Sequence, residues 1–386
     1  MTPQMDRIYL DNAATTTVRP EAVAAMLPLL GGGYNPSSLH AEGRAARAAL
    51  DDARETVARV LGAAPREIVF TGGGSESDVT AIVGAARALA ARGRHVVTSA
   101  IEHHAVLHAA DVLERDGWRV TRLPVDRRGL VDPQEFAAAL EPQTTVASVM
   151  LANNEIGVVQ PVAELAALAR ARGVVFHTDA VQAAGWLPLA VDALGVDLLS
   201  LSGHKFNGPK GVGILYVRRG TPLEPLIVGG GQEHGLRAGT EDVAGIVGLA
   251  AALRLAEAER PATAPRVAAL RDRLQTGILA AFPDALVNGA ATPRLPNNLS
   301  VAFAGLPSDA LLIRLDLDGI AASAGSACAA GSLEPSHVTA ALGLDEERRL
   351  GVIRFSLGRQ TSAEEIDEVL RRLPRAVSDV RSPLSV

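Results

Sequence analysis

Two sets of polar side chains follow apolar runs that have the composition of buried β-strands. The run VVFHTD ends at Asp179, and Gln182 follows three residues later. The run VDLLSLS ends at Ser202, and His204 and Lys205 follow it. Because ligands of open α/β sheets bind outside the carboxyl ends of the strands, we expect the two sets to face one crevice.

The residue types in this crevice predict covalent chemistry with a carbonyl compound. A lysine amine that is partly withdrawn from water has a lowered pKa and can form a Schiff base, which is the function we predict for Lys205. A carboxylate at Asp179 could keep a pyridine nitrogen protonated. Each residue also has an ordinary alternative, since Asp179 could cap a helix and Lys205 could be a solvated loop residue.

A glycine-rich turn adds a candidate phosphate site. FTGGGSESDV runs from a strand into a helix through Gly72, Gly73 and Gly74, with Ser75 in the first helical turn. Backbone amides at a helix start can bind an anion, although Ser75 could instead be a simple N-cap. The glycine spacing is not that of a dinucleotide site, and GPKGVG lacks the Lys-Ser/Thr pair of a nucleotide P-loop. Lysine, carboxylate and phosphate site together match what proteins supply to pyridoxal 5′-phosphate (PLP).

The single cysteine of the chain, Cys328, lies in AASAGSACAAGS. A free cysteine is usually a small buried hydrophobic residue, yet these neighbours have almost no side chains to pack against it. One cysteine cannot form an internal disulfide, and no Cys or His spacing indicates a zinc or iron–sulfur site, so we expect no metal.

The remaining sequence predicts the elements that position these groups. From about residue 66, short apolar runs alternate with alanine-rich helical segments, which is typical of a mostly parallel α/β sheet flanked by helices. A long helical stretch is then interrupted between Pro261 and Pro265, and short strands with a capped amphipathic helix follow. We therefore predict an N-terminal segment, 1–15, that packs with a small α+β domain, 261–386, which carries Cys328, and a large PLP-binding domain, 16–260.

Composition excludes several classes of protein. The chain has 386 residues, of which 48% are hydrophobic and 21% charged, and its formal net charge is −6. Basic residues are scattered, so we expect no nucleic-acid partner. We find neither a leader pattern at the N-terminus nor an uncharged apolar run of about 18 residues, and we therefore expect a cytoplasmic protein without membrane contact.

A series of motifs along essentially the whole chain resembles one family, the cysteine desulfurases of the iron–sulfur cluster type. These enzymes belong to the class V aminotransferase superfamily and have the PLP-dependent transferase fold of type I. The motifs are YLDNAATT, NPSSLH, FTGGGSES, EHHAV, NNEIGVVQ, HTDAVQA, SGHKFNGPKG, GGGQEHGLRAGT, GSACAAGSLEPSHV and RFSLGR.

The resemblance implies a set of cofactor contacts. Lys205 would hold PLP as a Schiff base, and Asp179 would pair with the pyridine nitrogen. His103 of EHHAV would lie over the ring and assist the proton transfers as a catalytic residue. The other implied contacts are Gln182 to the phenolic oxygen, Asn154 to ring and substrate, Gly74, Ser75, Ser202 and His204 to the phosphate, and Thr240 to the phosphate of a partner subunit. A homodimer is therefore expected.

The resemblance also implies the substrate and the product. Arg354 of RFSLGR would clamp the substrate α-carboxylate, a bidentate task suited to a guanidinium, with Arg359 as the alternative. Cys328 would take sulfur from L-cysteine as a persulfide, leaving L-alanine, and would pass it to an iron–sulfur scaffold or a tRNA-thiolation enzyme. Asn35 and His40 lie in a motif that the family places near the active-site entrance, and we assign them no role.

Some features are expected to be structural or differ from the family pattern. We interpret His104 and His108 as surface or packing residues and His177 as a structural residue of its strand. Many relatives carry Ala and Thr where this chain has Gly74 and Ser75, which preserves a backbone donor and a hydroxyl. Smaller departures occur in SAGSAC, where a second serine is common, and in GTED.

Alternative functions share the same cofactor site. A selenocysteine lyase or a class V transaminase would use the same PLP contacts, but a transaminase has no need of Cys328. A PLP-binding regulatory or scaffold protein is the alternative outside enzymology. Turnover of L-cysteine and its dependence on Cys328 separate these functions.

Overall fold

The apolar runs form strands and the alanine-rich segments form helices in a computed structural model, which describes residues 7–32, 34–325 and 336–381. The strands are β1 (Ile8–Tyr9), β2 (Ile68–Thr71), β3 (His95–Ser99), β4 (Arg119–Leu123), β5 (Thr144–Ser148), β6 (Val175–Asp179), β7 (Leu198–Ser202), β8 (Gly213–Val217), β9 (Leu286–Val287), β10 (Asn298–Ala302), β11 (Ile320–Ala321) and β12 (Val352–Ser356). The helices are α1 (Pro20–Leu30), α2 (Ala41–Leu61), α3 (Gly74–Val79), α4 (Ala85–Ala88), α5 (His104–Arg115), α6 (Pro133–Ala139), α7 (Val162–Ala171), α8 (Val191–Leu194), α9 (Val243–Ala281), α10 (Ser308–Leu317), α11 (His337–Ala341), α12 (Glu346–Leu350) and α13 (Ala363–Arg381).

The central sheet has the predicted mostly parallel arrangement. Within the described residues it contains seven strands in the order β2-β8-β7-β6-β5-β3-β4. Only β8 runs antiparallel to its neighbours, while β7, β6, β5, β3 and β4 pair in parallel. The parallel strands therefore share one carboxyl edge, which is the edge where we expect the crevice.

Both faces of this sheet are covered. One apolar cluster includes Leu50 and Val57 of α2 with Phe176 of β6, and a second, on other residues of the same sheet, includes Val106 of α5 and Val146 of β5. Burial on both faces explains why these strands are nearly continuous apolar runs. The α/β fold with flanking helices is confirmed. Among the helices of the described ranges, none is long and apolar enough to cross a membrane.

A separate hydrophobic core lies in the C-terminal part of the chain. Strand β10 pairs antiparallel with β9 and β12, and β1 pairs in parallel with β11. Ile8 and Leu10 belong to this second core together with residues of α9, α10 and α13. The pairing of β1 is consistent with the predicted packing of segment 1–15.

The predicted interruption between Pro261 and Pro265 is wrong, because α9 continues through both prolines. Proline inside a helix costs about 3 kcal/mol, so packing must offset that cost. Helix α9 packs against α1 and α2 and also against α13. It therefore runs from the first core into the second, and a boundary at residue 260 would fall inside a continuous helix. The division into two domains stays a prediction.

Candidate active site

A cavity of about 290 Å³ lies at the carboxyl edge of the parallel strands. It is lined by residues that follow β2, β3, β5, β6 and β7 or end β6 and β7, and by residues of the N-terminal segment, α11 and β12. The predicted site residues that line it are Gly74, Ser75, His103, Asn154, Asp179, Gln182, Ser202, His204, Lys205 and Arg354. The structure therefore brings together residues that lie as much as 280 positions apart in the sequence.

Asp179 is the last residue of β6 and is almost completely buried. Its Oδ1 accepts a hydrogen bond from the amide of Val181 at 2.8 Å, which fixes the orientation of the carboxylate. Burial raises the pKa of Asp179 to about 6, although the Val181 amide and the Lys205 ammonium act in the opposite direction. The carboxyl group is therefore largely ionised at neutral pH and can pair with a cation.

The N-terminal segment holds the Lys205 amine in the cavity. Nζ of Lys205 donates hydrogen bonds to the carbonyl oxygens of Ala13 at 2.6 Å and Ala14 at 2.8 Å. The Gln182 amide also donates to Ala13 O at 3.0 Å, and His204 bonds the Thr15 hydroxyl at 3.1 Å. Residues 13–15 thus contact Lys205, Gln182 and His204, all of which line the cavity. Lys205 is therefore not a solvated loop residue.

His103 is held in one tautomer by its position at the start of α5. Its Nδ1 accepts a hydrogen bond from the amide of Ala105 at 3.1 Å, so in the neutral ring the proton lies on Nε2. Burial, followed by the charge of Lys205, lowers the pKa of His103 to about 4. The ring is therefore uncharged at neutral pH and can lie against an aromatic group without the cost of desolvating a charge.

The glycine-rich turn approaches its neighbours too closely for side chains. A Cβ on Gly74 would lie 2.8 Å from Cγ2 of Val181 and 3.3 Å from Cβ of Ser202. Gly73 has a φ of 150° and occupies the N-cap position, so Ser75 is not the N-cap. The first amides of a helix have no partner inside it, and here they face a cavity that is also lined by Ser202 and His204. This arrangement fits a phosphate group.

Arg354 lies in the middle of β12 and contributes the opposite wall of the cavity. Nη2 donates to Oδ1 of Asp11 at 2.8 Å, and Nη1 donates to the carbonyl oxygens of Asn154 at 3.0 Å and Gly325 at 3.2 Å. Its Nε is buried and has no hydrogen-bond partner among the described residues. Arg359, the alternative clamp, lines a separate, smaller cavity.

Several residues that line the cavity were not predicted from the sequence. Asp78 is buried one helical turn after Gly74, and burial, followed by the charge of Asp179, raises its pKa well above the usual value. Glu155 is also buried, which raises its pKa, and it accepts a hydrogen bond from the Ser336 hydroxyl at 2.5 Å. The i, i+4 spacing of Asp78 from Gly74 and the position of Glu155 beside Asn154 were available signals.

The histidines divide between the cavity and the core. His104 lines the cavity, with its ring 4.8 Å from that of His337, so its location differs from the predicted surface or packing position. His177 lies inside the sheet, where it bonds the hydroxyls of Ser148 at 2.8 Å and Ser200 at 2.9 Å, as expected for a structural residue.

The other predicted residues lie outside the cavity or outside the described ranges. Thr240 is exposed and does not line the cavity. Asn35 bonds the amide of Ser37 at 2.9 Å, and His40 caps α2, so both have local contacts at the surface. Cys328 and its predicted loop lie outside the described residues.

The described residues on either side of Cys328 contact the cavity lining. Gly325 accepts a hydrogen bond from Arg354, and Ser336 donates one to Glu155. A Cβ on Gly325 would lie 2.4 Å from Oε2 of Glu155, so this glycine passes directly over a residue of the lining. The last described residue before the Cys328 segment and the first one after it therefore both contact the cavity lining.

The functional groups that line this cavity match those that PLP requires. Lys205 offers an amine, Asp179 a carboxylate for a ring nitrogen, and His103 an uncharged ring beside them. The turn at Gly74 and Ser75 lines the same cavity and offers backbone amides and a hydroxyl to a phosphate. These four components are those that hold PLP in proteins.

The chain is similar to known proteins along nearly its whole length. The family model for aminotransferase class-V matches residues 8–369. A cysteine desulfurase IscS of Dictyoglomus turgidum is 48% identical over 376 residues, covering 97% of this chain and 95% of the relative. A cysteine desulfurase NifS of Azotobacter vinelandii is 47% identical over 380 residues, covering 98% and 94% of the two chains. The solved structure of a NifS-like protein, 38% identical, has a TM-score of 0.91 and covers 96% of this chain and 99% of its own.

Proposed function

This chain belongs to the class V aminotransferase family of PLP-dependent enzymes, within its cysteine desulfurases, and we propose that it transfers sulfur from L-cysteine to Cys328 and releases L-alanine. The observation that carries the proposal is the cavity that brings Lys205, Asp179 and Arg354 together, with Gly325 and Ser336 bonded to residues of its lining. Bound PLP supplies an electron sink that acidifies the Cα proton of an amino acid.

Lys205 and Asp179 divide the proton and charge chemistry. Asp179 would carry the negative charge that pairs with the ring nitrogen of PLP. Nζ of Lys205 would take the Cα proton of the substrate and return a proton later. The Ala13 and Ala14 carbonyl oxygens lie within hydrogen-bond distance of Nζ and stabilise its charged form between the two transfers.

Arg354 orients the substrate. Its guanidinium is fixed by Asp11 and by two carbonyl oxygens, so the side chain has little freedom left to lose on binding. A guanidinium binds a carboxylate through two parallel hydrogen bonds, which would place the α-carboxylate and thereby the amino and thiol groups of L-cysteine. His103 and Gln182 would hold the ring of PLP, and Asn154 would contact both the ring and the substrate.

The sulfur step takes place between two sulfur atoms. The Cys328 thiolate forms a bond to the substrate sulfur while the Cβ–S bond of the substrate breaks. The sulfur remains on Cys328 as a persulfide, and the carbon skeleton takes up protons and leaves as L-alanine. The contacts of Gly325 and Ser336 with the cavity lining support a position of Cys328 near the substrate.

The proposed enzyme would act with partner proteins. The persulfide would be passed to an iron–sulfur scaffold or a tRNA-thiolation enzyme. Thr240 is exposed outside the cavity, which supports a homodimer in which it reaches the phosphate of the partner subunit. A catalytic thiol must stay reduced, and this supports a cytoplasmic location.

The decisive experiment follows one added sulfur atom. Purified enzyme with PLP is incubated with L-cysteine, and the alanine formed is quantified. The mass of the Cys328 peptide is then measured by mass spectrometry under non-reducing conditions. We expect alanine together with one extra sulfur on that peptide. In Cys328→Ala, alanine formation should fall to background while the visible absorbance of lysine-bound PLP is unchanged.

Each contrary result identifies an alternative function. Full alanine formation by Cys328→Ala would contradict the persulfide step and favour a transaminase-like activity. A large preference for selenocysteine over L-cysteine would indicate a selenocysteine lyase. PLP binding without any turnover of either amino acid would indicate a regulatory or scaffold protein.

A further inference from the structure

A buried ion pair lies at the free edge of the central sheet. Arg54 of α2 and Glu233 of a 3₁₀ turn, Glu233–Gly235, are 5% and 4% exposed. Nη1 and Nη2 of Arg54 donate to Oε2 and Oε1 of Glu233 at 2.8 and 2.6 Å. This is a bidentate pair removed from water, a geometry in which loss of either partner leaves a buried charge uncompensated.

The ion pair completes the hydrogen bonding of the edge strand β2. Among the described strands, β2 pairs only with β8, so the peptide groups on its other side need partners. Nη1 of Arg54 donates to the carbonyl oxygen of Ile68 at 2.6 Å, and Oε2 of Glu233 accepts from the amide of Phe70 at 2.8 Å. Arg54 and Glu233 thus occupy the place of a neighbouring strand.

A second carboxylate and arginine tie the same segment to the phosphate turn. Oε1 of Glu76 accepts from Nε of Arg237 at 3.0 Å. Oε2 of Glu76 accepts from the amide of Gly72 at 2.8 Å. Arg237 lies four residues after Glu233, so the segment 233–237 is joined at two points to the strand and turn that lead to Gly74 and Ser75.

The backbone of the segment needs these contacts to keep its shape. Glu233 and His234 have φ values of 46° and 59°, a left-handed conformation that residues other than glycine rarely adopt. The following Gly235, with a φ of 79°, adopts such values easily. Two consecutive non-glycine residues in this region indicate that surrounding interactions hold the turn in place.

We propose that Arg54 and Glu233, together with Glu76 and Arg237, are positioning residues that hold the turn Gly72–Ser75 in the shape that binds the PLP phosphate. Strand β2 ends at Thr71, so a shift of its edge moves the next three residues directly. The inference rests on the proposed function only in taking the PLP phosphate as the ligand of this turn. None of the four residues acts on the substrate.

The experiment compares PLP with pyridoxal, which lacks the phosphate. Apoenzyme of Arg54→Met, Glu233→Gln and Arg237→Met is titrated with each compound, and binding is followed by visible absorbance. We expect the Kd for PLP to rise about tenfold in the first two variants and about threefold in Arg237→Met, with the Kd for pyridoxal unchanged in all three. Arg54→Lys should recover part of the PLP affinity because it keeps the charge but not the fork.

A matched control separates positioning from general loss of stability. Arg271 is also buried and bonds both a carboxylate, Asp272, and the carbonyl oxygen of Leu295, but it lies in the second part of the chain. Arg271→Met should lower the melting temperature without changing the Kd for PLP. If Arg54→Met fails to fold, Arg237→Met, whose side chain is less buried, still gives the comparison.

Two results would overturn the proposal. One is an unchanged Kd for PLP in every folded variant. The other is an equal loss of affinity for PLP and pyridoxal, which would mean that the whole cavity is disturbed. Neither result depends on L-cysteine, so an enzyme that binds PLP but forms no persulfide would refute the proposed function and leave this test intact.

Discussion

The cavity has two sides that are built in different ways. Its floor, defined here as His103, Asp179, His204 and Lys205, comes from loops at the carboxyl edge of one sheet. Its wall, defined as Ala13, Ala14 and Arg354 of the lining together with Asp11, which bonds Arg354, joins parts of the chain that are as much as 343 residues apart. The residues of the floor lie together because they all follow or end strands at one carboxyl edge of the sheet. The residues of the wall come together only when the N-terminal segment packs against β12.

The two sides also present different ionisable groups. Burial lowers the pKa of His103 and of His204 to about 4 and raises that of Asp179 to about 6. The wall instead presents the guanidinium of Arg354, paired with Asp11 at 2.8 Å. We therefore expect substitutions in the floor to change the binding of PLP and substitutions in the wall to change the binding of the amino acid.

The largest effect is expected for Lys205→Ala. Loss of the amine removes both the covalent attachment of PLP and the group that moves the Cα proton, so kcat should fall at least about 10³-fold. The visible absorbance of lysine-bound PLP should disappear, and a small added amine should restore part of the activity. Activity within tenfold of the wild type would remove Lys205 from the mechanism.

Arg354→Lys should affect the substrate and not the cofactor. An ammonium cannot form the two parallel hydrogen bonds of a guanidinium, and we expect kcat/KM for L-cysteine to fall about 100-fold, mainly through KM. The absorbance and the Kd for PLP should stay as in the wild type. The matched variant Arg359→Lys should have normal KM, and the reverse outcome would assign the clamp to Arg359.

The shifted pKa values of His103 and Asp179 predict opposite pH dependences of the free energy of unfolding. His103 has a folded pKa of about 4 against an ordinary 6.5, so between these values only the unfolded chain binds the proton. The free energy of unfolding of the apoenzyme should therefore fall as the pH falls from 6.5 to 4, by about 2 kcal/mol from this residue. In His103→Gln, this part of the pH dependence should be absent.

Asp179 acts in the other direction. Its folded pKa of about 6 lies above the ordinary 3.8, so between these values the folded protein holds a proton that the unfolded chain has lost. Its contribution decreases the free energy of unfolding as the pH rises from about 4 to 6, and Asp179→Asn should remove that decrease. Denaturant unfolding at several pH values measures both slopes. His40→Gln, which removes another N-capping imidazole, controls for loss of a cap. If His103→Gln and Asp179→Asn changed the slope of the wild type in the same direction, this assignment would be contradicted.

The smallest effect is expected for Gly74→Ala. The new Cβ would lie 2.8 Å from Cγ2 of Val181, a stiff β-branched side chain, so the turn must shift slightly. We expect the Kd for PLP to rise about threefold, since a few tenths of an ångström suffice to relieve the contact. The double variant Gly74→Ala/Val181→Ala should return to the wild-type value. An effect that persists in the double variant would mean that the glycine is needed for its backbone and not for space.

Three of the four residues of the floor could be predicted from the sequence. Asp179 ends an apolar run, and His204 and Lys205 follow another, so the rule that ligands bind at the carboxyl edge of a parallel sheet placed them together. The His103 assignment needed the family resemblance, since nothing in EHHAV alone separates it from His104.

The contacts of the wall could not be predicted from the sequence. No local pattern indicates that Arg354 bonds Asp11 or that Lys205 donates to the carbonyl oxygens of Ala13 and Ala14. These contacts depend on pairing between distant parts of the chain. The continuity of α9 was missed for a similar reason, since Pro265 argues against a helix locally and packing on both cores overrules it.

The strand pairing of the N-terminal segment also sets when the enzyme can become active during its synthesis. Ser356 donates to Leu10 O and accepts from the amide of Asn12, and Ile8 pairs with Ile320. The residues that hold Lys205 are thus translated well before β12, and they find their partners only after residue 356 has been translated. A nascent chain can complete the central sheet and still lack a finished active site until its last strand arrives.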